Sequence, residues 1–413
     1  MLVSLWGTGT CYPGQDTKEP AVSAIEKPRV AIFCPTFLKP EMLHVYRQVA
    51  ELKKVAPVVL TFKRENVDRF PFEPIRLVER SSLRWLRRMW TIQIRRIPQQ
   101  AYPAEVSSMG TTLTADRCQL LHIYFGNNGL FWLPLLRRRQ VPAVVSFHGA
   151  DVQVNVNSPA AKRLFQDLFA LCSLVLARSE SLASSLLELG CTPDKLRIQR
   201  AGIPLETFRY FTRQRPADES WRLLQACRLV EKKGLELTLR AFAVFWKRYP
   251  NASLTIAGDG PLRGSLEKLV TDLGMGSRVR FAGFVDQSTL LTLYQNSHLF
   301  LHPSEQTPDG NREGVPNSLL EAMATGLPCI STRHGGIPEA VAHLESGVLV
   351  PESDLAGIEN WLDRLAADDR LRDSLGKRAA QTIKEKFDLT TQIEKLEEIY
   401  LSLRKPASLT KPA

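Results

Sequence analysis

Two glutamates lie eight positions apart around the start of a predicted helix. Residues 313–339 read EGVPNSLLEAMATGLPCISTRHGGIPE, with Glu313 before the helix and Glu321 inside it. Pro316 suits a first helical turn, and Gly326 suits a helix end. The helix start offers free N–H groups to an anion, and each carboxylate can accept hydrogen bonds from sugar hydroxyls. The segment could therefore hold one elongated ligand at two places, although spacing alone favours Glu321 on the solvated helix face.

A basic loop follows the strand segment LLQAC. It contains Arg228, Lys232 and Lys233, and a helix is predicted to begin at Gly234. The free N–H groups and the dipole of a helix start both favour an anion, so Arg228 and Lys233 could clamp a diphosphate. A solvated basic loop explains the same residues equally well.

Two more loops follow strand segments and could face the same ligand. The turn that begins with Gly258 and Asp259 lets backbone approach a ligand closely, although a plain tight turn is the more common explanation. In the first half, the segment AVVSFHGAD contains His148 and Gly149 and ends at Asp151. A lone histidine is more often a structural residue than a catalytic one. These loops matter because they follow strands at the edge where ligands bind to parallel sheets.

The elements that would position these loops alternate between short β-branched runs and longer helical segments. Such alternation predicts parallel sheets covered by helices. The first half has predicted strands at 29–34, 56–62, 120–125, 143–149, 174–179 and 195–203. After a polar stretch, the second half has them at 221–227, 252–258, 278–283, 297–303, 328–332 and 347–350. The fold class is therefore α/β, with two doubly wound domains and a cleft between them.

The predicted domain boundaries follow from this pattern. Residues 1–28 form a flexible N-terminal tail, 29–208 a first domain, 209–387 a second domain, and 388–413 a C-terminal helix with its tail. That helix has an N-cap at Asp388, and its apolar positions are spaced for one buried face. We expect it to pack back on the first domain.

Composition narrows the class of protein. The chain has 413 residues, of which 44% are hydrophobic and 23% charged, as in ordinary folded proteins. Seven scattered cysteines indicate reduced thiols rather than a disulfide scaffold or zinc site. No apolar run reaches the length of a membrane span, and no secretory signal is seen, so a cytoplasmic protein is expected. The net charge of +11 indicates an anionic partner but does not identify its chemical class.

The motifs of the second half resemble those of one enzyme family. RLVEKKG, IAGDGP, HPS, GNREGVPNSLLEAMATGLPCISTRHGGIPE and GVLV occur in the order and spacing of the retaining, GT-B-fold glycosyltransferases of family four, or group 1 glycosyl transferases. The resemblance covers essentially the whole second domain. It implies two Rossmann-like domains facing each other across a cleft, with the C-terminal helix crossing back to the first domain.

The resemblance also implies roles for individual residues. Glu321 is expected to bind the ribose, and Glu313 to hold the transferred sugar with the N–H groups of the next two residues. His148 becomes a catalytic candidate that supports developing positive charge, and Asp151 contacts the acceptor or orients its loop. Gly335 is implied near the nucleotide together with the glycine after it. The implied donor site comprises Arg228, Lys233, Gly258, Asp259, Gly314, Val315, Pro316, Asn317, Ser318 and Glu321.

The implied reaction is transfer of a hexose from a UDP- or GDP-sugar to a glycan or lipid-linked acceptor, with retention of configuration. It uses no cofactor, because the nucleotide sugar is a substrate, and no metal, because the chain has no Asp-x-Asp sequence. The loop FCPTFLKPEML resembles the subset that acts on exopolysaccharide or lipopolysaccharide acceptors. His122 and Tyr124 are acceptor-site candidates, with Tyr124 standing where relatives often have a second histidine. The loop 304–312 is where specificity for the sugar and acceptor is expected.

Residues 84–96, RWLRRMWTIQIRR, carry five arginines, no acid and an apolar stripe. A basic helix with aromatic residues is typical of contact with an anionic membrane surface. We favour this over a packed helix with a solvated basic face, so peripheral attachment to the inner face of the cell membrane is predicted.

Three alternatives compete with a glycosyltransferase. A nucleotide-sugar epimerase or a phosphorylase could share the architecture, because fold does not fix chemistry. A dinucleotide oxidoreductase would need a Gly-x-Gly-x-x-Gly turn, which neither first strand supplies. A non-enzymatic nucleic-acid-binding protein would exploit the positive charge, but no recognised binding module is present and no nucleic acid is expected as a partner.

Overall fold

The computed structural model shows two parallel sheets, each flanked by helices. It describes residues 26–39, 42–80, 98–149, 152, 159–308 and 313–403. Asp151, the basic segment 84–96 and residues 309–312 lie outside these ranges, so the predictions made for them stay predictions.

The first sheet is formed by residues of the first half. Its strands are β1 (Arg29–Phe33), β3 (Ala56–Thr61), β5 (Ile75–Leu77), β6 (Leu120–Tyr124), β7 (Ala143–Phe147), β8 (Leu174–Ala177) and β9 (Leu196–Ile198). They lie in the order β5-β3-β1-β6-β7-β8-β9, and all their pairings are parallel. Every residue of β6, β7 and β8 is buried, as expected for strands covered on both faces. A small separate pair joins β2 (Thr36–Phe37) to β4 (Lys63–Arg64).

In the described part of the first half, six helices surround this sheet. They are α1 (Leu43–Ala50), α2 (Pro103–Ala115), α3 (Gly126–Phe131), α4 (Leu133–Leu136), α5 (Pro159–Leu171) and α6 (Glu180–Glu188). Ser179 caps α6 by accepting a hydrogen bond from the Leu182 N–H, which fixes where the chain leaves β8.

The second sheet contains β10 (Arg222–Ala226), β11 (Ser253–Ala257), β12 (Val279–Gly283), β13 (Leu299–His302), β14 (Cys329–Thr332) and β15 (Val348–Val350). Their order is β12-β11-β10-β13-β14-β15, again parallel. The accompanying helices are α7 (Leu235–Arg248), α8 (Arg263–Asp272), α9 (Gln287–Asn296), α10 (Asn317–Ala324), α11 (Ile337–Ala340), α12 (Leu355–Ala367) and α13 (Asp369–Lys386). In both sheets the strand order reverses near the first strand, which leaves a ligand crevice at the carboxyl ends.

The last helix, α14 (Leu389–Ser402), packs on the first sheet rather than on the second. Its buried residues Ile393, Leu396 and Tyr400 belong to the hydrophobic core that also contains Val30 of β1. The predicted N-cap is confirmed, because the Asp388 carboxylate accepts the Thr391 N–H at 2.9 Å. The chain therefore crosses back to the first half, as the resemblance implied.

All twelve predicted strands are present, and three additional strands were missed: β2 and β4, with two residues each, and β5. Two of the three residues of β5 are exposed, so it lacks the apolar run by which a buried strand is recognised. In the part of the chain that the structure describes, no helix is long and apolar enough to cross a membrane.

Candidate active site

Loops at the carboxyl ends of both sheets line one cleft with a volume of about 420 Å³. The second half contributes Arg228, Lys233, Glu313, Gly314, Val315, Pro316, Asn317 and Ser318. The first half contributes Met42, His44, Phe125, His148, Arg178, Ser179 and Leu182. The two predicted catalytic residues, His148 and Glu313, thus share the cleft with most of the predicted donor site.

The start of α10 is held firmly at this cleft. Pro316 precedes the helix with φ −65°, the value that its ring imposes. The Ser318 hydroxyl donates to the Ala226 carbonyl at 2.6 Å and so fixes the first turn against the end of β10. Backbone N–H groups at this end face the same cleft as Arg228 and Lys233, which makes the region attractive to an anion. Among the described residues, no group of three or more His, Cys, Asp or Glu is arranged to hold a metal ion.

The loop before α10 is shaped by its neighbours. The Glu313 N–H donates to His334 Nε2 at 2.8 Å, and His334 Nδ1 lies 2.8 Å from a Glu352 carboxylate oxygen. Gly335 has φ 52°, and a Cβ there would lie 2.0 Å from the Glu313 carbonyl oxygen. The absence of a side chain at Gly335 therefore allows the loop around Glu313 to pack closely against it.

The Glu313 carboxylate is paired with lysines. Its Oε2 lies 2.6 Å from Lys233 Nζ and 3.7 Å from Lys232 Nζ, and the three side chains are at most 13% exposed. Burial alone would raise the pKa of the Glu313 carboxyl, but Lys233 and Lys232 outweigh it and bring the pKa to about 2. Glu313 therefore stays ionised in any physiological buffer, ready to accept hydrogen bonds.

This pairing predicts a pH dependence of folding stability. Because the pKa of Glu313 lies below its ordinary value of 4.5, its contribution to the free energy of unfolding is complete above about pH 4.5 and is lost as the pH falls toward 2. Chemical denaturation between pH 7 and pH 3 should therefore show a smaller acid loss of stability in Glu313→Gln than in the wild type. The exposed Glu236→Gln is the matched control and should follow the wild type. Parallel curves for Glu313→Gln and the wild type would contradict the assignment.

His148 is held in the cleft wall by contacts on both ring nitrogens. Its Nε2 lies 3.2 Å from Ser146 Oγ, and its Nδ1 lies 3.2 Å from Arg178 Nη1. The rings of Phe125 and His44 approach to centroid distances of 4.5 and 5.5 Å. Burial, then Arg178 and His44, hold the pKa of His148 well below its usual range. The imidazole is therefore neutral at pH 7.

Two of the first-half cleft residues that sequence reasoning missed, Arg178 and His44, carry titratable side chains. Arg178 follows the last residue of β8, and its Nη2 donates to Asn317 Oδ1 of the opposite domain at 3.2 Å. His44 lies in the first turn of α1, and neither of its ring nitrogens has a hydrogen-bond partner in the described residues. A cation near the carboxyl end of the predicted strand 174–179 was a usable signal for Arg178. His44 had none, because it lies in a helix with no motif around it.

Glu321 does not lie on a solvated helix face, contrary to what spacing alone favoured. Its side chain is 8% exposed, and its Oε1 accepts a hydrogen bond from Arg47 Nη1 of α1 at 2.9 Å. Tyr294 donates its hydroxyl to Oε2 at 3.2 Å. Glu321 thus joins the two domains through a buried ion pair, one turn beyond the helix start that faces the cleft.

The predicted donor residues Gly258 and Asp259 lie outside the lining of this cleft. Gly258 has φ 138°, and a Cβ there would lie 1.8 Å from the Cys227 carbonyl oxygen. The Asp259 side chain is 58% exposed, and its nearest basic partner is Arg263 at 3.8 Å. The geometry of this turn is explained by packing of β11 against the loop after β10.

The acceptor candidates His122 and Tyr124 are buried beneath the cleft wall. His122 Nδ1 lies 2.6 Å from the Tyr400 hydroxyl of α14, and the Tyr124 hydroxyl donates to Gln48 Oε1 at 2.6 Å. Both are 1% exposed. They tie α14 and α1 to the first sheet, and the acceptor role predicted for them has no support from their position.

Two family descriptions match adjoining parts of the chain. Residues 29–207 match the family described as Glycosyltransferase Family 4, and residues 207–382 match the Glycosyl transferases group 1. The amylovoran biosynthesis glycosyltransferase AmsK of Erwinia amylovora is 33% identical over 266 residues, which is 64% of this chain and 64% of AmsK. The putative colanic acid biosynthesis glycosyltransferase WcaL of Escherichia coli K12 is 30% identical over 289 residues, covering 68% of this chain and 69% of WcaL. The chain thus spans about two thirds of the length of these relatives, slightly less for AmsK.

Solved structures share the whole fold. Anabaena Alr3699/HepE, crystallised in complex with UDP, superposes with a TM-score of 0.71 at 18% identity, covering 91% of this chain and 100% of that one. Sucrose-phosphate synthase from Thermosynechococcus elongatus gives 0.69 at 20% identity, covering 91% and 99%. These likenesses confirm the predicted GT-B architecture. The two family matches, which together cover residues 29–382, and the similarity to WcaL show that the chain belongs to the family 4, group 1 glycosyltransferases.

Proposed function

We propose that this enzyme transfers a hexose from a UDP- or GDP-sugar to a glycan or lipid-linked acceptor, with retention of anomeric configuration. One observation carries the proposal: the cleft joins Arg228, Lys233, Glu313 and the start of α10 with His148 of the opposite domain. The names of the relatives, which concern amylovoran and colanic acid biosynthesis, support a role in assembling cell-surface or secreted polysaccharide.

Each domain has its own substrate in this proposal. Residues 209–387 bind the donor, with Arg228 and Lys233 on the diphosphate and Glu313 on the transferred sugar. Glu321 is proposed for the ribose, which requires its carboxylate to accept from the ribose hydroxyls in addition to, or in place of, Arg47 and Tyr294. Residues 29–208 bind the acceptor. The enzyme works in the cytoplasm, and residues 84–96 contact anionic lipid on the inner face of the membrane.

The chemistry requires stabilisation of opposite charges. As the bond from the anomeric carbon to the diphosphate oxygen breaks, negative charge grows on the diphosphate and positive charge on the sugar ring. Arg228, Lys233 and the N–H groups of α10 stabilise the leaving group, so the proposal invokes no metal. The acceptor oxygen forms its bond on the face that the diphosphate leaves, and its proton passes to a diphosphate oxygen. A neutral His148 adds no positive charge of its own beside the ring.

A panel of sugar nucleotides tests this proposal. The protein is incubated with UDP-glucose, UDP-galactose, UDP-N-acetylglucosamine, GDP-mannose and GDP-fucose, with water as the acceptor, and nucleoside diphosphate release is measured. We expect release from one nucleotide series, and early ¹H NMR spectra should show the free sugar in the anomeric configuration of the donor. First formation of the opposite anomer would contradict retention. No release from any donor above a Lys233→Ala control would contradict the proposed activity.

A further inference from the structure

Arg178 contacts both the predicted catalytic histidine and the helix that faces the donor. It stands directly after β8, at the carboxyl edge of the first sheet, and is half-buried in the cleft wall. Its Nη1 lies 3.2 Å from His148 Nδ1, and its Nη2 lies 3.2 Å from Asn317 Oδ1. Asn317 is the first residue of α10 in the opposite domain. One planar guanidinium therefore connects the two halves of the site.

The contact with His148 determines which ring nitrogen carries the proton. A guanidinium can only donate hydrogen bonds, so His148 Nδ1 must be unprotonated to accept from Arg178. The proton of the neutral ring then lies on Nε2, where the Ser146 hydroxyl at 3.2 Å can accept it. Other described rings beside it are His44 from α1, and Tyr124 and Phe125 at the end of β6. None of these rings is within hydrogen-bond distance of Nδ1 among the contacts that the structure describes.

We propose that Arg178 is a positioning residue, which fixes the Nε2–H tautomer and the orientation of His148 and couples them to docking of α10 across the cleft. The inference rests on the proposed function of the cleft. It adds a first-domain residue with two donor groups, one bonded to His148 of its own domain and the other to Asn317 of the opposite domain. The planar guanidinium group has two N–H donors at a fixed spacing, so it can bind two acceptors held at fixed positions. A lysine ammonium lacks this fixed geometry.

The tautomer can be measured without any substrate. Protein labelled with ¹⁵N-histidine is examined by long-range ¹H–¹⁵N NMR at pH 7.5, and His148→Gln identifies the His148 signals. We expect the wild type to show His148 as the Nε2–H tautomer and Arg178→Gln to show a mixture of both tautomers. Arg178→Lys keeps one donor for Nδ1, so it should retain the wild-type tautomer. A wild-type His148 in the Nδ1–H or the doubly protonated form would overturn the proposal.

Arg200 provides a matched control. It also belongs to the first domain and reaches the second, but through the carboxylate of Glu339 at 3.3 Å, with Glu180 as its other partner. Arg200→Gln should therefore leave the His148 tautomer unchanged and turnover within about threefold of the wild type. This variant separates loss of a domain-bridging arginine from loss of the contact with His148.

Turnover of the active donor from the panel completes the test. Arg178→Gln should lower kcat about 10- to 100-fold with donor KM changed less than threefold, since misplacement of a catalytic group by about 1 Å costs this much. Arg178→Lys should recover part of the loss. Unchanged kcat in Arg178→Gln would overturn the proposal, even with an altered tautomer. If the wild type turned over no donor, the proposed function would fail, whereas the NMR spectra would still decide whether Arg178 sets the tautomer.

Discussion

Replacing Lys233 with alanine is expected to lower kcat/KM for the donor about 100- to 1,000-fold, the usual cost of removing one preorganised charge from a transition-state site. Lys233 lies in the cleft, 9% exposed and 2.6 Å from Glu313 Oε2. Its loss removes a cation from the departing diphosphate and leaves the Glu313 carboxylate with only the more distant Lys232. Steady-state kinetics with the active sugar nucleotide measure the effect.

The matched control for this variant is Lys247→Ala. Lys247 lies on the exposed side of α7, away from the cleft lining. It should retain kcat/KM within about twofold of the wild type, because an exposed surface charge contributes little. A Lys233→Ala enzyme as active as Lys247→Ala would rule out Lys233 as a diphosphate ligand.

Replacing Glu321 with leucine is expected to lower the free energy of unfolding by about 3–5 kcal/mol, because Arg47 would remain buried and unpaired. The two side chains are 9% and 8% exposed, and they lie in different domains. The double variant Arg47→Met/Glu321→Leu should recover most of the lost stability, since replacing both partners by apolar groups removes the uncompensated charge. Urea denaturation of the wild type, both single variants and the double variant gives the coupling energy.

An exposed ion pair serves as the control for that cycle. Arg240 and Glu236 face each other on the surface of α7, with side chains 46% and 65% exposed. Glu236→Leu should change the free energy of unfolding by no more than about 1 kcal/mol. If Glu321→Leu were equally mild, the Arg47–Glu321 pair would not exist in solution and the two domains would meet differently.

Within the described ranges, three arginines of the first domain reach acceptors of the second. Arg47 contacts Glu321, Arg178 contacts Asn317, and Arg200 contacts Glu339. Two of these acceptors belong to α10, the helix whose start faces the cleft. The donor binding that we propose at α10 would thus be linked to docking of the domains through the same short helix.

Much of this architecture could be predicted from local sequence. Buried parallel strands are recognised by runs of β-branched residues, and a helix start is recognised by an N-cap residue such as Asp388. Both kinds of element were predicted correctly. The strand β5 was missed because a short, exposed edge strand carries no such run. Loops after parallel strands converge at one edge of a sheet, so the sequence predicted where the cleft lies. The resemblance to a family then indicated which residues of those loops come together.

The contacts between domains could not be predicted in this way. Arg47 and Glu321 are 274 positions apart, and nothing near either residue indicates the other. The spacing of α10 placed Glu321 on a solvated face because it takes no account of α1, which covers that face. His122 and Tyr124 were expected near the acceptor, but His122 lies against Tyr400 of α14 and Tyr124 against Gln48 of α1, so both are buried. Each of these outcomes depends on docking of distant elements rather than on local pattern.

The central claim, that the cleft binds the diphosphate of a sugar nucleotide, is tested most directly by thermal unfolding with saturating UDP, GDP and ADP. Ligand at one hundred times its dissociation constant adds about 2.7 kcal/mol to the stability of the folded state. We predict that one nucleotide raises the unfolding midpoint of the wild type and of Lys247→Ala but not that of Lys233→Ala. An equal rise in Lys233→Ala would contradict the claim, because it would place the diphosphate elsewhere.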